Sequence, residues 1–130
     1  MNIQWYPGHM AKARRMLEES LKLVDVVIEM VDARAPASSR NPDFDALFSA
    51  KPRVMVLNKA DLADPAATNR WIQHYQSMGW DAISFSANAG KGVKAAISLV
   101  ERAVRPVVER MKAKGVNKTV RAMIVGIPNV

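Results

Sequence analysis

Asn58, Lys59 and Asp61 stand in the pattern Asn-Lys-x-Asp, directly after the apolar run Val54-Met55-Val56-Leu57. That spacing brings an amide, an ammonium and a carboxylate to the top of one strand, the layout of a loop that reads a purine base. Asp61 accepts through two oxygens, so it can take both N1–H and the exocyclic amine of guanine, a donor pair that adenine lacks. Asn58 carries an amide able to meet N7 on the other edge of the base and to tie neighbouring loops together. Lys59 can lay its methylene stem over the ring while its ammonium stays in water.

Two further stretches could complete such a site. Ser86-Ala87-Asn88 follows another strand-like run about 25 residues beyond Asp61. Its small residue would let the Ala87 N–H approach a base carbonyl, and the Ser86 hydroxyl could buttress Asp61. Alone, a Ser-Ala pair after a strand is more often ordinary turn chemistry. Near the other end, Val120 to Val125 runs into Gly126-Ile127-Pro128-Asn129-Val130. A phosphate-binding loop reads Gly, four residues, then Gly-Lys-Ser/Thr between a strand and a helix, so that backbone N–H groups face the phosphates. Here the first glycine and the four residues are present and the Gly-Lys-Ser/Thr is not.

The elements that must position these residues follow from periodicity. A helix is expected from Met10 to Leu23, a strand from Val24 to Val31, and a short helix through Phe44, Leu47 and Phe48. Val54 to Leu57 is the second strand. Asp64-Pro65 then supplies an N-cap and a first-turn proline for a helix ending near Met78 and Gly79. Asp81 to Phe85 forms a third strand. A long apolar stripe from Val93 to Met111 makes a helix that Pro106 should kink or end and Gly115 should stop, before a fourth strand from Thr119 to Val125. Strands alternating with helices specify an α/β fold, a mainly parallel sheet in three layers with helices on both faces. Ligands bind such sheets beyond the carboxyl ends of the strands, where the loops after all four strands share one rim. The 130 residues read as one domain.

Composition narrows the class. Nearly half of the residues are apolar and 24% are charged, as in a folded globular protein. No apolar run approaches the roughly 20 residues that cross a bilayer, and no signal segment opens the chain. The absence of cysteine removes disulfides and thiolate metal sites. A cytoplasmic protein with no membrane partner is expected. The formal charge of +7 is concentrated: Lys91, Lys94, Arg102, Arg105, Arg110, Lys112, Lys114, Lys118 and Arg121 face only Glu101 and Glu109 in residues 91–121, while residues 1–90 balance. Such a tract fits either a polyanionic partner such as RNA or a solvated helix face. A non-catalytic RNA-binding α/β module built on residues 91–121 therefore stands beside the nucleotide reading, as does another doubly wound phosphate binder.

An ordinary GTPase places the phosphate loop first. Here Asn58-Lys59-Ala60-Asp61 comes first, then Ser86-Ala87, then Gly126. This order, with Trp5-Tyr6-Pro7-Gly8-His9-Met10, Asp32-Ala33-Arg34-Ala35-Pro36, Ser38-Ser39-Arg40-Asn41-Pro42 and the closing Gly-Ile-Pro-Asn-Val, resembles the YlqF-type ribosome biogenesis GTPases, a circularly permuted family, over the whole chain. The resemblance implies a P-loop GTPase-like domain of which residues 1–130 are an incomplete part, lacking the rest of the phosphate loop, the switch regions and a C-terminal RNA-binding domain. The fourth strand would then show an open edge. It implies GTP or GDP as ligand, with Mg²⁺ held by residues outside these 130, and the precursor of the large ribosomal subunit with its rRNA as partner of a monomer. By the same resemblance Asn58, Lys59 and Asp61 bind guanine, Ser86 and Ala87 complete the base pocket, and Asn129 and Val130 enter the phosphate loop. His9 is the family's candidate for positioning the hydrolytic water; as a sequence feature it is also an ordinary helix-start residue. Asn88 departs from the Lys or Leu of many GTPases. Asp32 and Arg34 suit loop tethering at a strand end. Residues 1–130 alone are expected to be catalytically inactive and to hold guanine nucleotide weakly or not at all.

Overall fold

A computed structural model describes the backbone of residues 7–40, 43–87, 90 and 92–126, and the side chains of these except 7–11, 13, 43 and 44. The chain runs α1 (Pro7–Leu21), β1 (Val26–Asp32), α2 (Asp43–Leu47), β2 (Arg53–Asn58), α3 (Pro65–Ser77), β3 (Asp81–Ser84), α4 (Val93–Ala113) and β4 (Ala122–Gly126), with a 3-10 turn at Ala60–Leu62. The four strands form one sheet in the order β3-β2-β1-β4, every pairing parallel. β4 pairs with β1 along one side and is an edge strand of this sheet among the described residues.

Strand side chains alternate between faces, and both faces are covered, hence the apolar character of the central strands. On one face Val31, Met55, Leu57 and Ala82 pack with Tyr75 of α3, joined by Trp71, Ile72 and Trp80. Val27 shares that face and meets Leu21 of α1 and Phe48 beyond α2. On the other face Val26, Val54 and Val56 pack against Val104 of α4, with Leu99, Val100, Ala103 and Val108 around them. Tyr75 is fully buried between Trp71 and Trp80, ring centroids 5.8 and 5.9 Å away, yet its hydroxyl makes no hydrogen bond among the described residues. A buried hydroxyl without a partner is a cost that phenylalanine would not carry. Tyr75→Phe is therefore expected to leave stability unchanged or raise it by up to about 1 kcal/mol, seen as an equal or higher urea midpoint at constant slope.

Some boundaries differ from the sequence reading: β4 starts at Ala122 rather than Thr119, and two others differ for identifiable reasons. α1 begins at Pro7 rather than Met10, since proline fits the first helical turn. β1 starts at Val26 because Asp25 is engaged across the sheet: its N–H donates to the Arg121 carbonyl (2.8 Å) and its carboxylate accepts from the Arg121 N–H (3.0 Å). α4 runs through Pro106 to Ala113 and stops before Gly115, as expected from the glycine; of a kink or an end at Pro106, the end does not occur. Pro106 is exposed, so the Arg102 carbonyl that loses its helical donor lies toward solvent, where water can satisfy it.

One feature of the core is ionic. Glu29, in the middle of β1, is 1% exposed and receives Arg40 Nε at 2.9 Å and Nη2 at 3.3 Å. Arg53, at the start of β2, lies 3.5 Å from Glu29 and 2.6 Å from Asp45, which Arg40 also contacts. Both guanidinium groups lie over Trp80, at 4.3 Å for Arg53 and 5.0 Å for Arg40. Burial lowers the Arg40 pKa, but the hydrogen bonds to Glu29 and Asp45 outweigh it and hold the group above its ordinary value. Arg40 thereby anchors the β1–α2 loop from beneath.

Candidate functional site

The carboxyl ends of β1, β2 and β3 meet on one rim, and backbone pairing sets their alignment. Asp32, the last residue of β1, is the register partner of Asn58, the last of β2, and Ala33 N–H donates to the Asn58 carbonyl at 2.7 Å. Phe85 N–H bonds to the Leu57 carbonyl (2.9 Å) and Ala60 N–H returns to the Phe85 carbonyl (3.0 Å), so the loop after β2 is sewn to the loop after β3. The side chains add two more stitches. Asn58, buried, accepts the Ala87 N–H on Oδ1 at 3.2 Å, and Ser86 Oγ accepts the Asp61 N–H at 3.2 Å.

Between these anchors the chain turns through Lys59, whose φ of 60° and ψ of 33° make it the one described non-glycine residue with positive φ. Asp61 follows in the first turn of the 3-10 segment, exposed, its carboxylate making no hydrogen bond or ion pair among the described residues. The loops expected to share a pocket are thus brought together, with two differences of detail. Ser86 supports Asp61 through the main chain, not through the carboxylate, which leaves both carboxylate oxygens available. The Ala87 N–H, expected to face a base carbonyl, is taken up by Asn58.

Asp32 closes the site on the β1 side. Arg34 grips it in a fork, Nε to Oδ1 at 3.0 Å and Nη2 to Oδ2 at 2.7 Å, and Arg34 N–H adds a bond to Oδ1 at 2.9 Å. The tethering role read from the sequence is what these bonds perform. Lys59 Nζ lies 3.8 Å from the same carboxylate. The Arg34 side chain, above all, lowers the Asp32 pKa from 3.8 to about 2 against a smaller opposing effect of burial. A folded-state pKa below the unfolded one means stability that is fully present above about pH 4 and is lost as pH falls through about 2. Asp32→Asn should therefore flatten the acid limb of the stability curve between pH 4 and 2, read by thermal unfolding across that range. Glycine at the end of β4 is a steric need: a Cβ on Gly126 would sit 2.9 Å from the Met30 carbonyl oxygen of β1.

No family model matches the chain. Among curated proteins it is 53% identical to ribosome biogenesis GTPase A of Priestia megaterium, aligned over all of this chain and 46% of that protein. It is 43% identical to "Short integuments 2, mitochondrial" of Arabidopsis thaliana over 98% of this chain and 32% of that protein. Among solved structures, GNP-bound YlqF from Thermotoga maritima superposes with a TM-score of 0.63 at 30% identity, covering 91% of this chain and 43% of the other. The chain belongs to the YlqF-type ribosome biogenesis GTPase A family. It spans less than half the length of the curated relatives it matches.

For this YlqF-type chain, four of the positions named with the resemblance have side chains outside the described set. His9 lies in the first turn of α1, with its side chain outside the described set. Asn88, Asn129 and Val130 lie outside the described residues. Conversely, the approach of Asp32 to Lys59 and the burial of Arg40 were not visible in the sequence. The two strand ends that bring Asp32 and Lys59 together are separated by a whole crossover. Only the Asp32-x-Arg34 spacing pointed toward part of that arrangement.

Proposed function

We propose that this chain forms the guanine-binding half of a circularly permuted GTPase domain acting in assembly of the large ribosomal subunit. The observation that carries the reading is the double lock between the loops, Asn58 Oδ1 to Ala87 N–H and Ser86 Oγ to Asp61 N–H, which presents the Asp61 carboxylate at the rim without a partner among the described residues. Asn58, Lys59 and Asp61 would read guanine, with Ser86 and Ala87 shaping the pocket. Asn129 and Val130 would follow Gly126 into the phosphate loop, and His9 would help place the attacking water. The permutation rests on chain order, base-reading loops before the strand that leads to Gly126. The names of the relatives, a ribosome biogenesis GTPase and a "Mitochondrial ribosome-associated GTPase 1" in mouse, support the cellular role. GTP hydrolysis, a cytoplasmic location and a monomeric state are proposed for the full-length protein. Among the described residues no group of three or more His, Asp or Glu converges as a metal site, so no residue here is assigned to Mg²⁺. Residues 1–130 contain no Lys or Ser/Thr after Gly126 and are proposed to be inactive by themselves.

Calorimetry on the full-length protein tests the base reading: GDP should bind and ADP should not. Equal affinity for the two would end it. The rRNA contact is assigned to the basic tract, because Lys94, Arg105, Arg110, Lys112 and Lys114 are all exposed on or just beyond α4. Phosphate contacts release counterions, so RNA binding through this surface should fall steeply between 50 and 200 mM salt. It should also survive Asp61→Asn, which separates it from the nucleotide site.

A further inference from the structure

Lys59 is held in its pose from two directions. Its backbone occupies the left-handed region, which side-chain-bearing residues enter at a cost and which tends to persist where the pose serves a site. Its ammonium points back toward β1, 3.8 Å from Asp32, with the side chain only 28% exposed. Asp32 in turn is fixed by two residues, Arg34 at the side chain and Ser39 at the backbone. Arg34 grips both carboxylate oxygens, the Asp32 N–H donates to Ser39 Oγ at 2.9 Å, and the same Ser39 hydroxyl donates to the Pro36 carbonyl at 3.2 Å. The next residue, Arg40, is sunk into the ionic cluster under the loop. A β1–α2 connection bound this thoroughly, at the rim and beside the lysine, does more than join two elements.

We propose that Asp32, oriented by Arg34, is a positioning residue of the base site: it draws the Lys59 ammonium to one side so that the lysine stem lies as a platform across the base. The inference rests on the guanine reading above and adds a residue to it from a loop outside the base-reading pattern. Drawing the ammonium aside has a definite consequence. A free lysine samples many rotamers, and each nucleotide that binds must freeze one. With the ammonium already held by Asp32, part of that ordering is done. Asp32 touches no substrate atom in this scheme and acts through Lys59 alone.

The test is a double-mutant cycle on the full-length protein, read as GDP affinity by calorimetry and as KM and kcat for GTP. Asp32→Asn and Lys59→Met should each weaken GDP by about threefold to fivefold, the range of a partly exposed ion pair. The double variant should be no weaker than Lys59→Met alone, and KM should rise with kcat unchanged. Arg34→Ala, at a side chain 48% exposed, should give a smaller loss in the parent and none in the Asp32→Asn background. Additive losses from Asp32→Asn and Lys59→Met, or a fall in kcat at constant KM, would overturn the assignment. Asp61→Asn is measured alongside. If it leaves guanine preference intact, the base reading itself has failed; if it abolishes that preference while the cycle is additive, only the role of Asp32 has. Thermal unfolding of each variant separates a loss of fold from a loss of pairing, and Asp32→Glu, which keeps the charge, should recover part of the affinity.

Discussion

Glu29→Gln should unfold at a markedly lower urea concentration than the parent protein, with a loss of roughly 3–5 kcal/mol. The carboxylate is 1% exposed and two guanidinium groups converge on it, Arg40 at 2.9 Å and Arg53 at 3.5 Å. Removing its charge leaves both cations to Asp45, which is itself about one-third exposed and already shared between them. An uncompensated buried cation is what makes the single substitution expensive, more than any attraction the intact pair contributes. The control follows from the same reasoning. Replacing Glu29 and Arg40 together by methionine removes one charge of each sign and leaves Arg53 with Asp45 at 2.6 Å and with Trp80 over its face. The double variant should therefore be more stable than Glu29→Gln, with a coupling of at least about 1 kcal/mol between the two positions. Losses that simply add would mean that the cluster is not one unit. Because Arg40 closes the β1–α2 loop, Glu29→Gln should also loosen Asp32 at the rim, visible as faster amide exchange at Asp32 and Ser39.

The same cluster marks where the sequence stops being readable. β2 was legible because a strand buried on both faces needs a continuous apolar run, and Val54 to Leu57 is one; every residue from Arg53 to Asn58 is buried. The parallel sheet and the shared rim followed from strand and helix alternation, and the clustering of Asn58, Asp61, Ser86 and Ala87 followed from strand ends on one side. Glu29 was hidden in an otherwise apolar strand, because its partners come from a loop 11 residues on and from another strand, and no local periodicity links them. The helix through Pro106 and its stop before Gly115 were legible from the apolar stripe and the glycine; whether the proline would end the helix was not, because its cost depends on whether the carbonyl it orphans faces core or water. The direction of the Ser86 bond was a matter of geometry as well. A hydroxyl can donate or accept, and the tight turn at Lys59 brings the Asp61 N–H, not its carboxylate, to Ser86.

That last detail sets the expected result of Asp61→Asn. The residue's structural duty is carried by its backbone N–H, which asparagine keeps, and its side chain is exposed and without a protein partner among the described residues. Thermal stability should therefore hold within about 0.5 kcal/mol. Binding should not. Guanine presents two donors, N1–H and the exocyclic amine, to two carboxylate oxygens; asparagine answers with one acceptor and one donor, so an N–H faces an N–H. Leaving polar groups unpaired in a site built to bond them costs far more than losing an apolar contact, and GDP affinity in the full-length protein should drop on the order of a hundredfold or more. The mismatch has a complement. Xanthine keeps N1–H but carries a carbonyl where guanine has the amine, so the asparagine amide can donate to it while its oxygen accepts from N1–H. Xanthosine diphosphate should therefore bind the variant better than GDP and the parent worse than GDP, an inversion that a merely damaged pocket would not produce. Competition calorimetry with the two diphosphates on both proteins reads it directly, and loss of GDP without gain of the xanthosine nucleotide would mean that Asp61 does not face the base edge.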